Sequence, residues 1–397
     1  MSLQPTALKE DVQRLVDEGY EASIYNQHLM VESVPYVTPT GVLAYGTLVC
    51  DYSDESRPRD HTVWFKGETP CNHQGQPLIQ VINNSNAQIL FDQFAVNHYF
   101  SNKPSNQPDF PSNYHVKMTH YIDLLGAQAR VIDPDADART GRVVESRDAD
   151  SVFKYGDTAS ARAGIMAISQ KLKLSRIAIV GLGGTGGYIL DQLAKTSVKE
   201  IHLFDGDDLK RHNAFRAPGA ISIEQLQQCP KKVDYFAGLY GALRNGIVSH
   251  TYYLDESNIH ELVDFDFVFV SVDDGISRGL ICNHLKTSGI PFIDVGMGLK
   301  KDSGMMVISG QCRATLCSPA KNEHMDTYLD THDNREDALY ASNIQVADMN
   351  ALNAMMAVLL YKQYFGFYAN TEHSHNLSFA IGFQSLVRSE VIAEPVL

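Results

Sequence analysis

The glycines between positions 181 and 187 are the first residues whose spacing suggests chemistry. The run reads Gly181-Leu-Gly-Gly-Thr-Gly-Gly187, and three of its glycines fit the pattern G-x-G-x-x-G. Glycine lets a backbone turn sharply and approach a phosphate, while free N–H groups at a helix N-terminus hold the phosphate charge. The apolar stretch 177–180 comes before the run and a helical pattern follows it. The residues predicted to line this phosphate-binding loop are Gly181, Gly183, Gly184 and Gly186.

A carboxylate at the end of the next predicted strand is the second candidate. Asp205 follows the apolar run 201–204, where a carboxylate can accept hydrogen bonds from ribose hydroxyls. The loop and this acid together do not distinguish a mononucleotide from a dinucleotide. A NAD-dependent oxidoreductase would have both features, so that alternative stays open at this point.

Polar and charged residues crowd the segment after Asp205. Cations can hold and neutralise a triphosphate there, and magnesium prefers oxygen ligands that it shares with phosphates. A nicotinamide-dependent enzyme has no use for such a set and would need an acid–base His or Tyr instead. Asp273, which follows the buried run 267–270, is the predicted magnesium ligand. The other candidates are Asp207, Asn213, Arg216 and one of the two lysines of the stretch Cys229-Pro-Lys-Lys232.

Repeated strand–helix units must position these residues. From about Ser175 onward, short apolar runs alternate with helical patterns, which indicates a parallel sheet covered by helices on both faces. We therefore predict an α/β, Rossmann-like, doubly wound and mainly parallel sheet, in which ligands bind at the carboxyl ends of the strands. The predicted strands are 177–180, 201–204, 247–253, 267–270, 291–294, 305–309 and 313–317, and a long helix follows at about 346–364.

Taken together, these pieces resemble the ThiF/ubiquitin-activating adenylyltransferase family. The resemblance covers about half of the chain, from Arg176 to roughly Phe365, and depends on several motifs rather than on the glycines alone. The matching pieces are the glycine loop, Leu-Phe-Asp205-Gly-Asp, Asn213 with Arg216, Lys231 before a helix, Asp273 in Ser-Val-Asp-Asp, and the helix that begins Ala347-Asp-Met-Asn.

The resemblance implies an activity and a set of roles. In that family the domain binds ATP and Mg²⁺, and the C-terminal glycine carboxylate of a ubiquitin-like or sulfur-carrier protein attacks the α-phosphate. Pyrophosphate leaves and an acyl adenylate remains. By this resemblance Asp205 holds the ribose and Asp273 coordinates Mg²⁺. The implied phosphate contacts are Asn213, Arg216 and Lys231.

The resemblance also implies a dimer and, in many members, a step on a cysteine. Members commonly form homodimers in which an upstream arginine reaches the partner's ATP; Arg162 is the candidate, and a plain surface arginine is the alternative. For a thioester, Cys317 is the first candidate, Cys312 the second and Cys229 the third. The alternative is that free cysteines simply fill small apolar positions. The C-x-x-C pairs of many relatives are missing, so we expect no zinc.

The N-terminal part matches no motif and is assigned by composition. Residues 1–132 are predicted to form an α+β domain, β-rich to about residue 84 and then helical near 87–99 and 115–126. The segment 133–150, rich in Asp, Arg and Gly, is the predicted linker to an adenylation domain at 151–397. Recruitment of the carrier or target protein is the hypothesis for the first domain.

Composition limits the remaining classes of function. With 47 acidic and 33 basic side chains, the net charge of −14 argues against a dedicated nucleic-acid binder. The first ten residues lack the charged start and apolar run expected of a secretory signal, and no apolar stretch approaches the roughly 20 residues that span a bilayer. Six scattered cysteines favour reduced thiols, so we expect a cytoplasmic protein without membrane contact. A non-catalytic nucleotide-binding scaffold remains a further alternative.

Overall fold

A computed structural model describes residues 10–53, 56–105, 107–145, 151–329 and 344–391. The chain divides into two compact units, Met1–Ala167 and Ile168–Leu397. The domain boundaries predicted from the sequence stay predictions, since part of the expected linker, 146–150, lies outside the described residues. Within the described ranges, no helix has the length and apolar character needed to cross a membrane.

The first unit contains a six-stranded antiparallel sheet. Its elements are α1 (Glu10–Asp17), β1 (Glu21–Tyr25), β2 (His28–Val37), β3 (Leu43–Asp51), β4 (Val63–Lys66), β5 (Ile82–Asn84), β6 (Gln88–Phe91), β7 (Phe94–Val96), β8 (His98–Phe100), α2 (Tyr114–Ile132) and α3 (Thr158–Arg162). The strand order is β1-β2-β3-β4-β8-β5. Side chains alternate between the two faces. Val31 packs with α1 and α2, whereas its neighbour Met30 packs with the separate hairpin β6–β7.

The helix predicted near 87–99 is wrong, because this segment forms β6, β7 and β8. Asp92 has a positive φ of 45° and turns the chain between β6 and β7. Phe91 and Phe94 flank the turn with stacked rings, and the Phe91 ring also contacts Tyr25 of β1. Packing of these aromatic side chains against the sheet therefore decides for strands over a spacing that also suits a helix.

The second unit is built on an eight-stranded sheet. The short helix α4 (Met166–Ser169) spans the boundary between the two units. The helices of the second unit are α5 (Gly184–Leu193), α6 (Arg211–Ala214), α7 (Ile223–Gln227), α8 (Lys232–Gly241), α9 (Gly275–Ser288), α10 (Met325–Tyr328) and α11 (Ala347–Tyr364). Its strands are β9 (Arg176–Val180), β10 (Glu200–Phe204), β11 (Ile247–His250), β12 (Phe267–Val270), β13 (Phe292–Asp302), β14 (Val307–Cys317), β15 (Ser374–Ala380) and β16 (Ser385–Val391).

The strand order β11-β10-β9-β12-β13-β14-β15-β16 confirms the predicted mainly parallel, doubly wound sheet. The first five strands in that order run parallel, and the last three pair antiparallel. Ile177 and Ile179 of β9 face a core shared with α5, α8 and α11. Ala178 and Val180 face the opposite core, with α9. Both faces of the sheet are thus covered, as continuous apolar strands require.

The antiparallel side of the sheet differs from the prediction. The strand predicted at 291–294 continues to Asp302, and the two strands predicted at 305–309 and 313–317 are one strand, β14. The hairpin β15–β16 was not predicted. Both β13 and β14 have polar and exposed positions where they extend beyond the buried parallel core, so these parts lack the continuous apolar run that predicts a buried strand.

Candidate functional site

The glycine loop joins β9 to α5 at the carboxyl edge of the parallel strands. Gly181 has a φ of 90°, and a Cβ there would lie 2.6 Å from the Ser271 carbonyl oxygen. A Cβ on Gly186 would lie 2.0 Å from the Gly181 carbonyl oxygen. Gly183, by contrast, is the N-cap residue of α5, and a Cβ added there would meet no atom of the described residues within 4 Å. The loop therefore needs two glycines for its shape and presents a third, with a helix N-terminus, to solvent.

An asparagine from α11 closes the loop from the other side. Thr185 Oγ1 donates a hydrogen bond to Asn350 Oδ1 over 2.9 Å, and both side chains are buried. A Cβ on Gly184 would lie 2.3 Å from Asn350 Nδ2, so this glycine permits the contact. Asn350 stands in the motif quoted for the family, yet sequence reasoning gave it no role. A polar residue inside an otherwise apolar helix was the available signal.

Asp205 is placed directly beneath the loop. One of its oxygens accepts the Leu182 N–H over 2.7 Å, and the other accepts the Asp207 N–H over 2.8 Å. The residue is 7 % exposed. A carboxylate oxygen can accept more than one hydrogen bond, so Asp205 keeps the capacity to accept one from a ligand hydroxyl. The acid thus holds the loop and the following segment in place while lying at the carboxyl edge of the sheet.

The two lysines at the start of α8 have different surroundings. Lys231 is the N-cap residue, and its Nζ lies 2.8 Å from Asp208 and 2.9 Å from the Gly206 carbonyl oxygen, towards solvent. Lys232 is buried, with its Nζ 2.6 Å from Asp207 and 3.4 Å from Asp205. The lysine next to the loop acid is therefore Lys232, which sequence reasoning passed over in favour of Lys231. Adjacent helix positions point about 100° apart, and the sequence alone did not define which one faces inward.

Asn213 lies in α6, and Arg216 lies two residues after the end of that helix. Asn213 is buried, and its Oδ1 accepts the Lys210 N–H over 2.8 Å, so it shapes this turn. The Nε of Arg216 is buried and has no hydrogen-bond partner among the described residues. Burial, followed by the charges of Arg216, Lys210 and Lys232, lowers the pKa of His212. An acidic chain thus has a local cluster of cations here, and one guanidinium N–H lacks an acceptor.

Asp273 lies just beyond β12, at the same edge of the sheet, and is exposed. Its neighbour Asp274 caps α9, with Oδ2 accepting the Ser277 N–H over 2.6 Å. In the ranges that the structure describes, no three His, Cys, Asp or Glu side chains are grouped to hold a metal ion. Mg²⁺ commonly binds through one or two carboxylates together with substrate phosphates. The single carboxylate of Asp273 is compatible with that arrangement, and its role as a magnesium ligand stays a prediction.

The structure does not support Cys317 as a nucleophile. Cys317 pairs with Phe292, the first residue of β13. Asp294, two residues further along β13, pairs with Val270 at the carboxyl edge of the parallel strands. Cys317 therefore lies away from the loop. It is 1 % exposed, and burial raises its pKa to about 12. Cys312 is also buried, and burial raises its pKa to about 11. Cys229 is exposed. The side chain of Arg162, proposed to act in the partner's site, lies outside the described residues.

Comparisons with known proteins identify two family models along the chain. The model of the ThiF family matches residues 158–387, and a model described as "Domain of unknown function (DUF6791)" matches residues 10–158. No curated protein matches the sequence.

Among solved structures, the chain is similar to E. coli MccB with ATP, at 18 % identity over 60 % of this chain and 71 % of that one, with a TM-score of 0.46. PaaA is 16 % identical, covering 74 % and 92 % of the two chains, with a TM-score of 0.47. Because these identities and TM-scores are low, the chemistry must be argued from the chain's own residues.

Proposed function

The chain belongs to the ThiF family, whose model matches residues 158–387, and we propose from that premise that its second unit uses ATP to adenylate a carboxylate. The substrate class that we propose is the C-terminal glycine of a ubiquitin-like or sulfur-carrier protein. The first unit would recruit that protein, and the enzyme would act as a homodimer in the cytoplasm.

The observation that carries this proposal is a buried guanidinium N–H that lacks an acceptor, in the segment that follows α6. Arg216 Nε is buried without an acceptor among the described residues, and an oriented but unpaired charged donor is costly unless a ligand completes it. Lys232 lies in the same cluster, next to Asp205 and Asp207. A phosphate chain on the glycine loop would supply the missing acceptor.

The roles follow from these positions. Asp205 would bind the ribose, and the triphosphate would extend along the loop towards Arg216 and Lys232. A substrate carboxylate oxygen would then form a bond to the α-phosphorus. The bond from the α-phosphorus to the oxygen that bridges to the β-phosphate would break, and pyrophosphate would leave with that electron pair. The two cations would stabilise the charge that develops on the leaving group, and Mg²⁺ held by Asp273 would supply further neutralisation.

Isothermal titration of the full-length protein with ATP and MgCl₂ tests the proposal. We expect Arg216→Ala to weaken ATP binding by about 10- to 100-fold, the usual effect of a hydrogen bond to a charged group. Arg388→Ala, which removes an exposed arginine paired with Glu372, is the charge-matched control and should bind as the wild type does. Binding of NAD in place of ATP would support an oxidoreductase, and no nucleotide binding would support a scaffold.

A second experiment addresses the reaction. Radiolabelled pyrophosphate should exchange into ATP when a glycine-terminated carrier protein is present, because formation of the acyl adenylate is reversible. Exchange that persists in both Arg216→Ala and Asp273→Ala would contradict the roles assigned to these residues.

A further inference from the structure

The order of three neighbouring strands defines where a nucleobase would lie, if the proposed function is correct. The phosphate loop follows β9, Asp205 follows β10, and β11 is the next strand outward. Phosphate, ribose and base are joined in a line, so a nucleotide with its phosphates on the loop and its ribose on Asp205 directs its base over the end of β11. The residues directly after β11 are Thr251, Tyr252, Tyr253 and Leu254.

Tyr253 presents an exposed aromatic ring that is held from several directions. Its hydroxyl donates a short hydrogen bond to Asp207 Oδ1. Its ring lies against Gly206, where a Cβ would come within 2.7 to 2.9 Å of three ring atoms. Its carbonyl oxygen accepts a hydrogen bond from Asn258 Nδ2 over 2.9 Å. The residue is nonetheless 62 % exposed, so it offers a preorganised face for stacking.

Asp207 connects this ring to the phosphate-side cation. Its Oδ1 accepts the Tyr253 hydroxyl, while its Oδ2 lies 2.6 Å from Lys232 Nζ. Although burial acts in the opposite direction, hydrogen bonds from Lys232 and Tyr253 lower the pKa of Asp207. The hydrogen bond to Asp207 raises the pKa of Tyr253 to about 12. At neutral pH the tyrosine therefore keeps its proton and donates a hydrogen bond to a carboxylate that also holds the lysine.

We propose that Tyr253 is the stacking platform for a purine base, and that its hydroxyl acts through Asp207 to hold Lys232 in position for the phosphates. The ring and the hydroxyl have separable effects. The ring contributes contact with the base, and a purine covers more of it than a pyrimidine does. The hydroxyl contributes to phosphate binding, because Asp207 is oriented between two donors only while both are present.

The experiment measures binding of ATP, CTP and inorganic tripolyphosphate to the full-length protein by isothermal titration. Tripolyphosphate has no base, so it reports the phosphate contacts alone. Tyr253→Ala should weaken ATP binding by about 10-fold and CTP binding by less, as expected for loss of one base–aromatic stack. Tyr253→Phe keeps the ring, so it should weaken ATP and tripolyphosphate equally, by a few fold. Tyr368→Ala, which removes another exposed tyrosine, is the matched control.

The outcomes separate this inference from the function on which it rests. Wild-type ATP affinity in Tyr253→Ala would overturn the stacking role, and wild-type tripolyphosphate affinity in Tyr253→Phe would overturn the positioning role. Arg216→Ala serves as the internal reference, since it should weaken all three ligands. If the wild-type protein binds no ATP, both the proposed function and this inference fail. Circular dichroism melting would test whether each variant is folded.

Discussion

Asp294 Oδ2 lies 2.6 Å from Arg313 Nη2, and the aspartate side chain has no exposed surface. A second arginine, Arg278, approaches the other carboxylate oxygen at 3.2 Å, and its Nη2 donates to the Val272 carbonyl oxygen over 2.5 Å. Val272 directly precedes Asp273. One buried carboxylate thus connects β13, β14 and α9 to the segment that presents the proposed magnesium ligand.

We predict that Asp294→Ala destabilises the protein by about 3–5 kcal/mol, because removing one partner of a buried ion pair leaves the others uncompensated. Here two guanidinium groups would lose their shared carboxylate. Urea unfolding followed by circular dichroism measures the change. Glu372→Ala, which breaks the exposed pair with Arg388, is the control and should cost no more than about 1 kcal/mol. Equal losses in the two variants would contradict the prediction.

We predict that alanine substitutions at two glycines of the loop affect different properties, stability in one case and ATP affinity in the other. In Gly186→Ala the new methyl group would lie 2.0 Å from the Gly181 carbonyl oxygen, so the backbone must shift and the free energy of unfolding should fall by about 1–3 kcal/mol. In Gly183→Ala the methyl group meets no atom of the described residues within 4 Å, so stability should change by less than about 1 kcal/mol.

The Gly183→Ala methyl group would occupy the space in front of the loop, where the proposed phosphates bind. ATP affinity should therefore fall at least about 10-fold with almost no change in stability. Thermal melting and titration with ATP measure the two quantities separately. A Gly183→Ala protein that binds ATP normally would indicate that the phosphates do not approach this part of the loop.

We predict that Cys317 is unreactive in the folded protein. Its thiol is buried and its pKa is raised to about 12, so almost no thiolate is present at pH 8. Iodoacetamide should modify the exposed Cys229 and leave Cys317 unmodified until denaturant is added, as mass spectrometry of peptides can show. Cys317→Ala should retain pyrophosphate exchange. Rapid native labelling of Cys317 would restore it as a thioester candidate.

The parallel core was predictable because its signals are local. Each buried strand is a short apolar run, and the glycine loop and Asp205 stand directly at strand ends. The contacts that complete the site are not local. Thr185 and Asn350 are separated by 165 positions, and Tyr253 lies 46 positions from the aspartate that it contacts. No periodicity or spacing in the sequence predicts which of several polar residues meet across such distances.

The missed strands have a different cause. The hairpin β15–β16 lies at the edge of the sheet and has exposed positions such as Leu386 and Val387, so it lacks the continuous apolar run of a buried strand.

The choice between Lys231 and Lys232 depended on the residue at which α8 begins, and helix ends are the least reliable part of any sequence-based assignment.

The two lysines lead to a prediction in which the Lys231 variant is the control for the Lys232 variant. Lys232 is buried between Asp205 and Asp207, whereas Lys231 is paired with Asp208 towards solvent. We therefore expect Lys232→Ala to weaken ATP binding by about 10- to 100-fold, and Lys231→Ala by no more than a few fold. Lys232→Ala also leaves two neighbouring carboxylates without their shared cation, so it should lower the melting temperature as well.

The fall in stability requires a second variant, which separates a loss of the phosphate contact from a loss of the fold. Asp207→Asn keeps the shape of the lysine's partner and the lysine itself, but it removes the charge that holds the ammonium group in position. We expect this variant to bind tripolyphosphate a few fold more weakly than the wild type does, because Lys232 is then oriented less firmly for the phosphates. If Lys231→Ala has the larger effect on ATP binding while both lysine variants remain folded, then the solvent-side lysine contacts the phosphates and Lys232 serves only to hold the two aspartates.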